Sequence, residues 1–172
     1  MLFIKKNLIF LSFILIFISP IHLFSQELEL PKLPETKEDF IKPEKDFIAA
    51  EKWLETTPLG TNEEKRTEIN AWIITWITNS PTVTINLRAS ILKVFDKKAQ
   101  LLGVYMAGCS RYCIENNYSK EELKYNVAGL KAVINCYNLC GELKKDKALE
   151  KLIEKDKDRK LEEWVNEMIQ KK

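Results

Sequence analysis

The residues best suited to chemistry are four cysteines in two matched pairs, Cys109 and Cys113 in CSRYC, then Cys136 and Cys140 in CYNLC. Each pair is spaced i, i+4, so on a helix its side chains share one face about a turn apart. A short turn at Asn116 to Ser119 makes the two helices antiparallel. Symmetry about the middle of that hairpin matches Cys109 with Cys140 and Cys113 with Cys136, and two nested disulfides staple it. Bridges within one helix are disfavoured, because i, i+4 sulfurs in a regular helix do not readily meet disulfide geometry. Four buried thiols are the second reading, cysteine being also a small core hydrophobe. A four-thiolate zinc site is the third, although this spacing is not that of a zinc knuckle. Redox catalysis comes last, its usual motif being C-x-x-C.

Other chemistry is narrowed by one count. The single histidine, His22, lies in an N-terminal segment with the order of an export signal, so the processed chain is expected to hold none. That removes Ser-His-Asp and Cys-His nucleophile pairs, His-ligated zinc and His-ligated haem. No glycine-rich phosphate loop or zinc-protease motif occurs. Glu63, Glu64 and Glu68, and again Glu121 and Glu122, fall in or near first turns of expected helices, where the helix dipole accounts for them. Paired carboxylates can do acid–base work without histidine, but no pair is singled out. Arg111 and Glu115, at i, i+4, read as a surface ion pair. Trp53, Trp72, Trp76 and Trp164 read as core. No catalytic, cofactor-binding or metal-binding residue is assigned.

Lys5 and Lys6 precede an apolar run from Leu8 to Ile18, Pro20 closes it, and Ser25 offers a cleavage point before Gln26 or Glu27. The run has 11 residues, short of the roughly 20 a spanning helix needs. Residues 1–26 are therefore expected to be removed. The mature protein then resides in the periplasm or outside the cell without stable membrane insertion, where disulfides persist. The formal net charge of +2 comes from Lys5 and Lys6; from Glu27 onward 25 basic residues balance 25 acidic ones. A neutral chain lacks the charge a nucleic-acid-binding protein needs. The balance is uneven along the chain. Glu27 to Asn70 carries seven basic and twelve acidic residues, and Ala71 to Gly141 eight and four, so the two halves are expected to dock on each other.

These side chains need helices to place them. Residues 27–43, with three prolines, read as an extended linker or loosely attached arm, and residues 44–172 as one helical domain. Glu44 to Leu54 carries apolar residues at helical spacing. Thr61 and Glu64 form a capping-box signature opening the clearest helix, with Ile69, Trp72, Ile73, Trp76 and Ile77 on one face and Ile74 off it. TVTINL, from Thr82 to Leu87, is an extended entry into a short helix over Asn86 to Phe95. Asp96 is expected to cap a helix over about Lys97 to Asn117, and Ser119 with Glu122 to open another that ends at Gly141. On that last helix the Cys136/Cys140 face lies roughly 130° from the Leu123/Val127/Leu130/Ile134 stripe. Both sides then need cover, and Gly129 permits a close neighbour. The final thirty or so residues divide into two short helices around Asp156 to Asp158. The fold expected is all-α, a single domain of five to seven helices around a central antiparallel hairpin.

CSRYC and CYNLC resemble the twin Cys-x3-Cys hairpins of small mitochondrial intermembrane-space chaperones, over about Leu101 to Gly141. The 22 residues between the pairs exceed that family's usual connection, and a cleavable bacterial-type signal is foreign to it, so only the stapled hairpin is implied. TNSPTV at Thr78 to Val83, YMAG at Tyr105 to Gly108 and IENNYSKEEL at Ile114 to Leu123 look like a group of exported bacterial proteins with no known activity. That resemblance implies a fold and no site. The function expected is a non-enzymatic exported helical module, chaperone-like or of the inhibitor/immunity type, binding another protein. The alternative is a carboxylate-dependent hydrolase of the cell envelope.

Overall fold

The computed structural model describes residues 28–140 and 145–171; the expected signal segment and Gly141 lie outside them. The described residues form seven α-helices and no strand: α1 (Glu44–Thr56), α2 (Glu63–Asn79), α3 (Ala89–Leu92), α4 (Gln100–Glu115), α5 (Glu122–Leu139), α6 (Lys147–Lys157) and α7 (Leu161–Gln170). Short 3-10 turns cover Lys37–Ile41 and Lys93–Phe95. The all-α single domain is as the hydrophobic periodicity implies. No described helix is long and apolar enough to cross a membrane.

α2 follows its pattern closely. Ile69, Trp72, Ile73 and Trp76 are buried, while Ile74 remains 44% exposed. Trp76 stacks on Phe47 of α1 at 4.3 Å between ring centroids, and its indole N–H donates to the Phe40 carbonyl at 3.2 Å. The helix does not begin with the expected capping box. Thr61 donates its hydroxyl to the Pro58 carbonyl, and Glu63, not Glu64, turns back to accept the Gly60 N–H at 2.7 Å. Asp96 likewise caps nothing: α4 begins four residues later, after Ala99. Ser119 accepts the Glu121 N–H but lies two residues before Glu121, the N-cap of α5, and so does not cap it.

α4 and α5 form the central antiparallel hairpin. Asn117 and Tyr118 take left-handed backbone conformations, and the Tyr118 N–H returns to the Cys113 carbonyl at 2.7 Å, so α4 closes on a Schellman-type turn. Arg159 and Lys160 repeat this device between α6 and α7. The two hairpin helices touch backbone to backbone: a Cβ on Gly108 would fall 3.0 Å from the Gly129 Cα, and one on Gly129 only 2.6 Å from the Tyr105 carbonyl oxygen. α5 also packs against α1, α6 and α7, the two-sided cover its sequence called for.

The segment before α1 is not loosely attached. Leu28, Leu30 and Leu33 pack against the core, and the Trp72 indole N–H donates to the Pro31 carbonyl at 2.8 Å. Pro31 and Pro34 suit an extended backbone over residues 28–34, and an extended arm can lay its leucines along α2.

Candidate functional site

The described helices converge their charge where α1 crosses the hairpin. Phe47, Ala50, Glu51 and Leu54 share one buried face of α1, which places a carboxyl among hydrophobes. Glu51 has no solvent exposure, and burial pushes its pKa up to about 8; Arg111 draws it down and Glu55 adds to the rise. Arg111 of α4 reaches Glu51 at 2.6 Å and Glu55 at 2.8 Å through the same nitrogen. Burial also works upward on Glu55, but the Asn135 amide of α5, 2.6 Å away, and Arg111 outweigh it and hold that carboxyl below the usual range. Glu51 is thus the weaker acid of the two and Glu55 the stronger. Glu115, expected to be the partner of Arg111, stands off at 3.8 Å.

A carboxyl pair with pKa values driven apart is the usual signature of acid–base machinery. Here both acids face inward and clamp α1 to α4 and α5, joining the acidic and basic halves of the chain. The pattern that marks Glu51 is its place on the apolar stripe of α1, at i+4 from Phe47 and three residues before Leu54.

Arg66 of α2 is a second buried charge with no sequence signal beyond its position. It is 2% exposed, donates to the Thr57 and Leu54 carbonyls at the end of α1, and lies 5.6 Å from the Trp53 ring. It serves as a C-terminal cap supplied from another helix.

The four cysteines are thiols: Cys109, Cys113 and Cys136 are buried and Cys140 is half-buried. The staple joining Cys109 to Cys140 and Cys113 to Cys136 is corrected by the register of the hairpin. Cys113 precedes Asn116 by three residues, whereas Cys136 follows Ser119 by 17. Symmetry about the turn therefore cannot match them. Cys109 instead faces Gly129, where an added Cβ would come within 2.4 Å of its sulfur. Its expected partner Cys140 lies 11 residues further along the chain, with Cys136 between, about 16 Å at 1.5 Å per residue, beyond the reach of a disulfide. The same separation divides the four sulfurs between two places and removes the four-thiolate zinc arrangement. Burial pushes Cys113 and Cys136 up to about 11 and Cys109 higher still. Cys136 and Cys140 meet the loop after α1: the Cys136 thiol approaches the Thr57 carbonyl at 3.7 Å, and the Leu59 N–H donates to the Cys140 sulfur at 3.2 Å.

Two of the surface hollows flank these elements. One, of about 340 Å³, lies at the start of α6 between Lys93, Lys97, Lys147 and Lys151, with Asp96 and Asp146 on its wall. Asp146 is already engaged, accepting the Ala148 and Leu149 N–H groups as the N-cap of α6. The other, of about 310 Å³, is a groove between the end of α2 and the extended entry to α3, lined by Ile77, Val83, Ile85, Leu87 and Met106. Leu87 is 42% exposed, and Ile74 stands one turn before the groove on α2.

No protein-family model, curated protein or solved structure matches the chain. The site must be read from its own residues.

Proposed function

We propose that this chain is an exported, non-enzymatic helical protein that binds another protein in the periplasm or outside the cell. The groove beside α2 is its contact surface. The observation that carries the reading is the contrast between the two kinds of feature. The converging acids, Glu51 and Glu55, are spent on internal clamping, while Leu87 lines an open groove with its side chain exposed and Ile74 stands exposed one turn away on α2. Exposed apolar groups clustered around a groove are a common mark of a protein-binding surface.

A photoreactive residue placed at Ile74 or Leu87 in the exporting cell tests this. Each position should give one adduct of defined mass, the Ile74 adduct being lost with Leu87→Asp, while the exposed Lys120 at the hairpin turn gives none. Absence of an adduct, or the same adducts from Lys120, overturns the reading. Export is tested by intact mass: the native protein should begin at Gln26 or Glu27 and leave the cell on osmotic shock. Material that keeps Met1 to Ser25 and partitions with membranes overturns that part.

One observation favours the second reading, a carboxylate-dependent envelope hydrolase: Asp96 and Asp146 line the same hollow. Such enzymes need two acids about 5–5.5 Å or about 6.5–9.5 Å apart across the scissile bond. Asp96→Asn would then abolish release of soluble fragments from purified envelope glycan. Equal release by both proteins, or none by either, rejects it.

A further inference from the structure

The tip of the α4–α5 hairpin carries a triplet that the fold explains only in part. Asn117, Tyr118 and Ser119 read N-x-S, and no other asparagine in the chain has serine or threonine two residues on. The turn accounts for the asparagine: its φ is 54°, and asparagine tolerates the left-handed region better than most residues. It does not account for the serine. Ser119 caps neither helix. Its hydroxyl oxygen accepts the Glu121 N–H at 3.2 Å, which leaves the O–H without an acceptor among the described residues.

The backbone sets the access. Left-handed residues at Asn117 and Tyr118 stop α4, and the chain reverses before α5 begins at Glu122. Residues 115–118 and Lys120 are all exposed. The two adjacent asparagines differ in what holds them. The Asn116 amide donates to the Tyr112 carbonyl at 2.9 Å, whereas the Asn117 side chain makes no hydrogen bond among the described residues. Tyr118 anchors the tip, its hydroxyl donating to Glu44 at 3.2 Å. Two residues before Asn117, the Glu115 side chain is 47% exposed and stands 3.8 Å from Arg111, which Glu51 and Glu55 already engage. An untied amide therefore lies between a loosely held carboxylate and a hydroxyl able to donate.

We propose that Asn117 is an N-glycosylation site, with Ser119 and Glu115 as the groups that a membrane-bound oligosaccharyltransferase reads on either side of it. The donor is an oligosaccharide carried on a lipid diphosphate. The proposal rests on the export reading, because such a transferase meets chains delivered across a membrane. In the step, the Asn117 Nδ2 bonds to the anomeric carbon of the first sugar. The bond from that carbon to the diphosphate oxygen breaks, and the lipid diphosphate leaves with the electron pair. One amide proton passes to a carboxylate base of the transferase, and nothing is oxidised or reduced. A bulky, solubilising glycan suits a tip made of exposed residues. It also leaves the groove beside α2 open: Met106 of that groove lies nine residues before the end of α4 at Glu115, about 14 Å at 1.5 Å per residue.

The test is peptide mass spectrometry of the full chain isolated from the cell that exports it. The tryptic peptide Tyr112 to Lys120 should carry a sugar mass, and fragmentation that spares the glycosidic bond should place it on Asn117. In the same cell Asn117→Gln and Ser119→Ala should each lose the adduct, and Asn116→Gln should keep it. Glu115→Gln should lower occupancy by about fivefold, the worth of one exposed ion pair to the transferase; unchanged occupancy removes Glu115 from the acceptor. Should a variant fail to fold, the spectrum of the natural sequence decides alone. A bare peptide in protein that begins at Gln26 or Glu27 overturns the site and leaves export standing. Protein that keeps Met1 to Ser25 overturns export and the site with it. A sugar on Asn116 or on the Ser119 hydroxyl, or an adduct that survives Ser119→Ala, overturns the site as well.

Discussion

The Arg111 guanidinium and the Glu51 carboxyl meet at 2.6 Å across sixty residues of sequence, at a point where Glu51 has no exposure to solvent. With Glu51 pushed up by burial and Glu55 held low, Glu55 is the more acidic of the two carboxyls facing Arg111.

That arrangement fixes the sign of a pH effect. Glu51 titrates from about 8 in the folded chain against an ordinary 4.5, so the folded state holds the extra proton between those values. The stability this provides is complete below about 4.5 and is lost as pH rises toward about 8. Glu51→Gln keeps the neutral shape and does not titrate. Denaturant midpoints should show the advantage of the unmodified protein over the variant shrinking by on the order of 1 kcal/mol per pH unit across that window. Parallel profiles would sink the assignment.

Gly129→Ala should be among the most damaging single-methyl changes in the chain. The new Cβ would press on the Cys109 sulfur and on the Tyr105 backbone oxygen, and the latter cannot rotate away. A loss of roughly 1–3 kcal/mol or more is expected from overpacking. Gly60→Ala meets nothing within 4 Å and suffers only from its φ of +83°, for a cost of about 1 kcal/mol. Thermal melts of the two variants should rank in that order.

Trp76→Ala removes a fully buried ring stacked on Phe47 and should lower stability by about 3–5 kcal/mol. Ile74→Ala, on the exposed side of the same helix, should stay within about 0.5 kcal/mol. An unchanged denaturation midpoint for Trp76→Ala would show that the buried face of α2 lies elsewhere.

Non-reducing peptide maps of the native protein should show four alkylatable thiols and no peptide linking Cys109 to Cys140 or Cys113 to Cys136. In the folded state Cys140 should react first and Cys109 last, following their exposure and the upward push of burial on Cys109. A disulfide-linked pair in that map would overturn the register of α4 against α5.

Local signals in the sequence served well where a residue's role depends on neighbours within a turn. The α2 face, the exposed phase of Ile74 and the break between α6 and α7 all have that origin. Gly129 as a contact point also followed, because both faces of its helix needed cover. The register of the hairpin did not follow from the cysteines: i, i+4 spacing places two sulfurs on one face but does not say how far that face lies from the turn. Arg111 misled for a related reason. Its nearest acid in sequence is Glu115, while its partners Glu51 and Glu55 arrive from another helix. The one local hint was a glutamate seated in the apolar stripe of α1.

The contact of Gly108 with Gly129 bears on how the chain assembles. It joins residues 21 positions apart, so closing it costs little loop entropy. Arg111 must recruit Glu51 from sixty residues away, and the Ser90 hydroxyl finds the Met168 carbonyl across 78. The α4–α5 hairpin is thus the natural nucleus, with α1 and α7 condensing onto it later. Substitutions at the glycine contact should slow refolding, whereas those at the Glu51 clamp should act mainly by hastening escape from the native state.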